Sequence, residues 1–363
     1  MTQSGRDAFF MARAIQLADQ GRYTTDPNPR VGCVLVKDGR VLAEGWHRQA
    51  GLAHAEAEAL KRTDDAQGAT AYVTLEPCSH TGRTPPCADA LIAAGIKRVV
   101  IAMQDPNPLV AGGGINKLQS AGIEVVCGVL EVQAQQLNPG FIRRMLFQRP
   151  WIRSKLAMSL DGRTAMASGE SQWISAEQSR ADVQRLRAQS SAVLTGINTV
   201  LADDPSLNAR VDWPVKQPDR LVLDSALRMP ANARMLQLPG RTLILTCVDN
   251  AGKRQALESA GGEVYCLPAS SGRLELTAVT RFLAEQQFNE ILVEAGAMLN
   301  GALLAENLVD EWIIYQAPCI LGDQGRGLFH LPGVQRLADK ILVKLQDVRQ
   351  IGPDLRLTFL VSH

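Results

Sequence analysis

The sequence predicts an α/β protein built from two domains in series, and three observations carry that prediction. Strand and helix patterns alternate in both halves of the chain, as they do where helices connect the strands of a mostly parallel sheet. The chain has 363 residues, which is long for a single hydrophobic core. The alternation breaks once, at a helical and then basic stretch over 129–149 (Arg143, Arg144, Arg149) that runs into Pro150. The boundary is placed there, giving domains 1–148 and 149–363.

In the first domain, Phe10, Ala14, Leu17 and Ala18 recur at helical spacing from Asp7 onward. Arg13 and Asp19 interrupt any apolar h-region, so a signal peptide is not expected. Residues 31–36 and 41–45 read as a hairpin around Asp38-Gly39, a strong turn pair. A helix over 53–62 follows, with Ala55, Ala59 and Leu60 on one face. Then come a strand at 70–75, a helix at 88–94 stopped by Gly95, and a strand at 98–103. A helix at 117–121 and a strand at 124–129 complete a three-layer α/β arrangement.

The second domain opens on a strand at 151–157, then a helix at 177–188 and strands at 192–195 and 220–224. Further strands read at 242–246, 263–267, 290–294 and 311–316, with helices between several of them. The last two, 342–348 and 355–360, could form an antiparallel edge on a mostly parallel sheet. No internal repeat relates the halves.

Composition narrows the function classes. The formal net charge is +1 and 46% of residues are hydrophobic, so no polyanionic partner is indicated. No apolar run reaches the length of a membrane span. Neither nucleic acid nor membrane is expected as a partner. The 7 cysteines are odd in number and irregularly spaced, which argues against a disulfide framework and for a reducing cytoplasm. Cys33, Cys127, Cys247, Cys266 and Cys319 sit in apolar runs and read as small buried hydrophobes. Cys78 and Cys87 have polar, turn-forming neighbours and read differently.

His54-Ala55-Glu56 is followed by Pro77-Cys78 and then by Cys87. One imidazole and two thiolates supply three corners of a tetrahedral zinc site, and a fourth left for water marks a catalytic rather than a structural metal. Zinc with two thiolates and a neutral imidazole sums to zero charge, so it acidifies water less than an all-histidine site would. A carboxylate base is then needed, and Glu56, two residues from His54 on the same helix, fits that role. The order H-x-E, P-C, C is that of zinc-dependent nucleobase deaminases. A structural site would need a fourth protein ligand, and only His80 is spaced for it.

The run Glu76-Pro77-Cys78-Ser79-His80-Thr81-Gly82-Arg83-Thr84-Pro85-Pro86-Cys87 makes the resemblance specific. With Pro27-Asn28-Pro29, Val31-Gly32, Gly45-Trp46-His47 and Asp105-Pro106-Asn107-Pro108, it resembles the deaminase half of the RibD family of bifunctional riboflavin biosynthesis enzymes. That resemblance implies a cytidine-deaminase-like fold, one Zn2+, and a substrate pocket lined by Asn28, His47, His80, Arg83, Asp105 and Asn107. Asn28 and Asn107 each lie between prolines, so turn chemistry explains them equally well.

In the second half, residues alone say less. Glu294-Ala295-Gly296 follows a strand and opens a helix, which offers free N–H groups to a phosphate, but it is not the GxGxxG of a dinucleotide fold. Thr195-Gly196-Ile197-Asn198-Thr199-Val200-Leu201-Ala202-Asp203-Asp204-Pro205 also follows a strand, and Asp203-Asp204-Pro205 alone reads as a turn and helix cap. Together with Lys155-x-Ala157-x-Ser159-x-Asp161-Gly162, Ser171-Gln172-Trp173-Ile174, Arg187 and Leu207-Asn208-Ala209-Arg210, these runs resemble the reductase half of the same family. The resemblance implies a dihydrofolate-reductase-like fold that binds NADPH through Ala157, Trp173, Thr199, Asp203, Ser225, Gly296, Ala297, Met298, Leu299, Asn300, Gly301 and Ala302. It places substrate against Ser171, Arg187, Leu207, Arg210 and Glu294, the arginines suiting a 5-phosphate.

The activities implied are deamination of a phosphoribosylaminopyrimidine and NADPH-dependent reduction of its ribosyl group to ribityl, in a homo-oligomer (dimer or tetramer). Lys155, Asp203 and Glu294 are candidate proton donors for the second step. Ala295 stands where glycine is expected, and 112–114 is unusually glycine-rich. A nucleic-acid-editing deaminase would show a basic stripe with interleaved aromatics, but only 5% of residues are aromatic and charge is balanced. A scaffold with a vestigial site conflicts with the intact His54, Glu56, Cys78 and Cys87 in the first domain; for the second, whose motifs rest on resemblance, that alternative stays open.

Overall fold

The computed structural model describes residues 2–79 and 86–361, and divides the chain into two units, Met1–Gln148 and Arg149–His363. His80 and Arg83 lie outside the described residues.

In the first unit, Thr2 caps α1 (Gln3–Asp19) by accepting the Gly5 N–H, and the helix buries Phe10, Met11, Ala14 and Leu17. β1 (Gly32–Lys37) and β2 (Arg40–Trp46) pair antiparallel. Between them Asp38 and Gly39 both take positive φ, 52° and 76°, the backbone that a two-residue hairpin turn requires. α2 (Ala55–Leu60), β3 (Thr70–Val73), α3 (Cys87–Ala93), β4 (Arg98–Ile101), α4 (Gly113–Ser120), β5 (Glu124–Cys127), α5 (Glu131–Leu137) and α6 (Pro139–Phe147) follow.

The sheet runs β2-β1-β3-β4-β5, with β3, β4 and β5 parallel. One face packs on α1 and α5 through Leu17, Val34, Tyr72, Val100 and Ala134. The other packs on α2, α3 and α4 through Leu35, Ala59, Val73, Leu91 and Leu118. α2 lies so close to β2 that a Cβ at Gly45 would meet the Ala55 carbonyl oxygen at 2.4 Å. That approach presses the residues around His54 onto the sheet.

The second unit contains β6 (Trp151–Met158), β7 (Arg163–Ala165), α7 (Glu177–Gln189), β8 (Ala192–Gly196), α8 (Ile197–Asp203), β9 (Asp219–Leu223) and β10 (Thr242–Thr246). It continues with α9 (Ala251–Ser259), β11 (Glu263–Cys266), the small hairpin β12 (Ala269–Ser270) and β13 (Arg273–Leu274), α10 (Leu276–Glu285) and β14 (Glu290–Val293). α11 (Ala297–Ala305), β15 (Glu311–Gln316), β16 (Arg326–Gly327), β17 (Val343–Ile351) and β18 (Asp354–Val361) complete it. The nine-stranded sheet runs β11-β10-β9-β8-β14-β6-β15-β18-β17. It is parallel through β15, and β18 and β17 close it antiparallel. Buried apolar side chains cover both of its faces.

The turn and helix cap read at Asp203-Asp204-Pro205 is where α8 ends, with Ile197 and Val200 buried one helical turn apart and Asp204 at φ 40°. One sequence expectation is corrected here. Cys127 and Cys266 are exposed rather than buried. Each ends the outermost parallel strand of its sheet, where an apolar sequence context does not guarantee cover.

Candidate active sites

His54 is the N-cap of α2 and Glu56 stands in the first turn, so two helix-start positions point one imidazole and one carboxylate the same way. Cys87 opens α3, and the Cys78 sulfur accepts its N–H at 3.3 Å. Both sulfurs face His54 Nδ1, at 3.7 Å from Cys78 and 3.4 Å from Cys87. The ligand atoms of all three residues lie within 4.8 Å of one another. Zinc bonds of about 2.0–2.3 Å give tetrahedral edges of about 3.3–3.8 Å, so these three atoms fit the ion. Among the described residues, no fourth His, Cys, Asp or Glu joins the cluster.

The two cysteines share one proton. The hydrogen bond with Cys87, helped by His54, holds the Cys78 thiol down to about 4, and the same pairing together with burial pushes Cys87 up. Glu56 is 3% exposed, and burial pushes its carboxyl up to about 7. A carboxyl near neutrality can both take and return a proton.

The pocket residues around this centre differ in what they can offer. Buried His47 donates from Nδ1 to the Ala53 carbonyl at 3.0 Å, which leaves Nε2 to accept from Asn28 Nδ2 at 3.1 Å. Its ring nitrogens are therefore spent on the protein, and it fixes the Asn28 amide. Asp105 Oδ1 accepts the Asn107 N–H at 2.8 Å, and Asn107 Oδ1 accepts the Leu109 N–H at 3.1 Å. Turn chemistry thus occupies one oxygen of each.

In the second unit, the carboxyl ends of β6, β8, β9 and β14 gather Lys155, Ala157, Thr195, Ser225 and Glu294, where an open parallel sheet binds ligands. Arg187 of α7 grips Glu294 with two hydrogen bonds, 2.6 and 2.9 Å, and donates a third to the Asn208 carbonyl at 3.1 Å. Burial opposes the Glu294 charge, yet Arg187, Lys155 and Arg210 together hold its carboxyl below the usual value. Burial lowers the Lys155 amine, which faces Glu294 and Arg187 and lies 5.7 Å from the Tyr315 ring centre.

Arg210 is exposed; its N–H donates to Gln184 Oε1 at 3.0 Å, and among the described residues its guanidinium makes one 3.4 Å contact, to Asn208 Oδ1. The Leu207 side chain, 2% exposed, belongs to the core, so its backbone is the part open to a substrate. Ser171 is half-buried in the loop that Gln172 ties to Asp203 at 3.5 Å. Trp173 is 70% exposed with Arg180 stacked on its ring at 4.7 Å.

The start of α11 is open. Gly296 caps that helix without a side-chain bond, and a Cβ there would meet nothing within 4 Å. Gly296, Ala297, Met298 and Leu299 retain exposure, as do Thr199, Asp203, Ser225 and Ala302. Asn300 and Gly301 are buried. Asn300 Nδ2 donates to the Ala295 and Gly296 carbonyls and its Oδ1 accepts from Ser154, while a Cβ at Gly301 would strike the His330 oxygen at 2.1 Å. Their side-chain positions hold the loop rather than a ligand. The Ala295 methyl packs against the core and does not obstruct the approach.

The RibD C-terminal domain model matches residues 150–357, and the cytidine and deoxycytidylate deaminase zinc-binding region model matches 4–103. The riboflavin biosynthesis protein RibD of Escherichia coli is 51% identical, over 96% of this chain and 98% of its own.

The chain belongs to the RibD family.

RibD of Acinetobacter baumannii, a solved structure, is 44% identical with a TM-score of 0.93, covering 99% of this chain and 100% of its own. The Thermotoga maritima diaminohydroxyphosphoribosylaminopyrimidine deaminase/5-amino-6-(5-phosphoribosylamino)uracil reductase is 32% identical with a TM-score of 0.88, covering 99% and 100%. This chain is accordingly a bifunctional deaminase and reductase of riboflavin biosynthesis, acting on small molecules. Its first domain is cytidine-deaminase-like and uses zinc, and its second is dihydrofolate-reductase-like and uses NADPH. Among the described residues, no helix is long and apolar enough to cross a membrane.

Sequence reasoning missed the Arg187–Glu294 pair, 107 positions apart, and the four N–H bonds onto Glu76. The glycine run at 112–114 was the one available signal for the second.

Proposed function

We propose that the first domain hydrolyses the ring amino group of 2,5-diamino-6-(5-phosphoribosylamino)pyrimidin-4-one. The second then reduces the ribosyl group of 5-amino-6-(5-phosphoribosylamino)uracil to ribityl. The observation that carries the reading is the His54, Cys78 and Cys87 cluster with buried Glu56 beside it. These three side chains hold the zinc, which when bound acidifies a water and supplies the nucleophile. Glu56 takes the proton from that water and delivers it to the departing ammonia. Asn28, its amide fixed by His47, turns Oδ1 toward the pyrimidine. Asp105 and Asn107 line the same pocket, and His80 and Arg83 are assigned to the ribose phosphate.

In the reductase, the backbone from Gly296 to Leu299 together with Ala157, Trp173, Thr199, Asp203, Ser225 and Ala302 holds NADPH. Bound NADPH supplies the hydride that reduces C1′. As the C1′–O4′ bond breaks, the sugar ring oxygen needs a proton. Glu294 is held as a carboxylate by Arg187 and Asp203 is exposed at a helix end, whereas Lys155 Nζ is enclosed beside both charges of that pair. Lys155 is therefore the donor, and Arg210 and Ser171 bind the substrate.

Odd-numbered, scattered cysteines support a cytoplasmic setting. The exposed Leu345 and Val348 on edge strand β17 support a homo-oligomer.

The test is to give the purified chain the diaminopyrimidine and NADPH and to follow ammonia release and NADPH oxidation separately. Glu56→Gln should keep its zinc, lose deamination by about a thousandfold and still reduce preformed uracil substrate. Ammonia release at the wild-type rate would remove Glu56 from proton transfer.

A further inference from the structure

Glu76 directly precedes the Pro77-Cys78 pair and is 5% exposed. Its carboxylate accepts four backbone N–H groups. Oε2 takes those of Asp105 at 3.1 Å and Gly112 at 3.0 Å, and Oε1 takes those of Gly114 at 2.9 Å and Ile115 at 3.2 Å. One oxygen thus closes the loop 105–112 at both ends, and the other satisfies the first turn of α4. The glycine run lets these parts meet. A Cβ at Gly114 would lie 1.9 Å from the Pro77 carbonyl oxygen, and one at Gly113 would lie 2.7 Å from Ser79 Oγ. The start of α4 therefore rests on the Pro77 backbone and the Ser79 side chain, one to either side of Cys78.

We propose that Glu76 is the positioning residue of the deaminase, tying the loop that carries Asp105 and Asn107 to the segment that carries Cys78. This rests on the reading that Asp105 and Asn107 face the substrate. Glu76 itself touches neither substrate nor metal, because its oxygens are filled by the chain. A carboxylate matches four N–H donors with four lone pairs. A carboxamide offers one oxygen and turns its own donors on the remaining N–H groups, so Glu76→Gln loosens the closure while nearly keeping side-chain shape.

In the zinc-loaded full chain, Glu76→Gln should raise the deaminase KM about tenfold while leaving kcat within about twofold. Zinc content and the reductase rate should be unchanged, and amide hydrogen exchange at 105, 112, 114 and 115 should quicken. Asn107→Ala should raise KM as well, and adding it to Glu76→Gln should raise KM less than the two effects multiplied, because both act on one loop. If Asn107→Ala raises KM and Glu76→Gln does not, or if Glu76→Gln loses zinc, the positioning role is overturned. If Asp105→Ala and Asn107→Ala both leave KM unchanged, the reading of the loop fails and the proposal falls with it. Should Glu76→Gln not fold, Gly112→Ala decides, since it strains the same closure at φ 79° and must shift KM in the same direction.

Discussion

Arg187 and Arg210 look alike in the sequence and differ in the fold. Arg187 is half-buried and clamped by Glu294, whereas the guanidinium of exposed Arg210 has one long contact among the described residues. A charge already paired at 2.6 Å has little left for a phosphate, so Arg210 should carry that contact. Arg210→Ala is expected to raise the reductase KM about ten- to a hundredfold for the phosphorylated substrate and not for its dephosphorylated form. Equal KM changes for the two substrates would contradict this. Arg187→Ala strands a buried carboxylate and should cost about 3 kcal/mol of stability, read as a lower unfolding midpoint in denaturant. The zinc ligands were legible in sequence because His54 and Cys87 sit at helix starts and Cys78 follows a proline, local signals that survive alone. The Arg187–Glu294 pair was not, because a contact 107 positions apart leaves no local pattern.

At the scale of elements, period and turn chemistry found most strands, and Asp38-Gly39 gave the hairpin its position. Periodicity failed at α8, whose short β-branched sequence has too little length to show a helical face. It also could not show what fastens α1 to the sheet. Buried Asp7 accepts two bonds from Arg98 of β4, at 2.9 and 3.0 Å, and one from the Tyr72 hydroxyl at 2.9 Å. Burial opposes its charge, but Arg98, Tyr72 and Gln3 hold its carboxyl below the ordinary value of 3.8. A lowered carboxyl contributes its full stabilisation above the unfolded pKa and loses it as pH falls through the folded one. Asp7→Asn should therefore destabilise the chain by about 2–3 kcal/mol near neutral pH, with the difference from wild type shrinking below pH 4. Denaturant midpoints measured across that range check it, and a pH-independent difference would assign the loss to packing.

At the scale of the whole molecule, the second unit's sheet ends in an exposed edge strand, β17. β17 pairs with β18 so that Val343 faces Val361, Leu345 faces Phe359 and Val348 faces Leu357. The register shift between Leu345 and Asp347 matters, because it keeps Val348 on the same face as Leu345 despite the odd spacing. Phe359, Leu357 and Val361 on that face join the core, but Leu345 is 53% and Val348 51% exposed. Leu342 at 73% and Leu337 at 83% extend the apolar surface beyond the strand. A long apolar edge left open invites uncontrolled pairing, and natural sheets cover such edges. A second copy supplies the same surface by two-fold symmetry, which makes it the economical cover. Leu345→Lys and Val348→Lys together should shift the chain toward a smaller species in analytical ultracentrifugation, while zinc content stays unchanged. An unaltered sedimentation coefficient in that double variant would place the interface elsewhere.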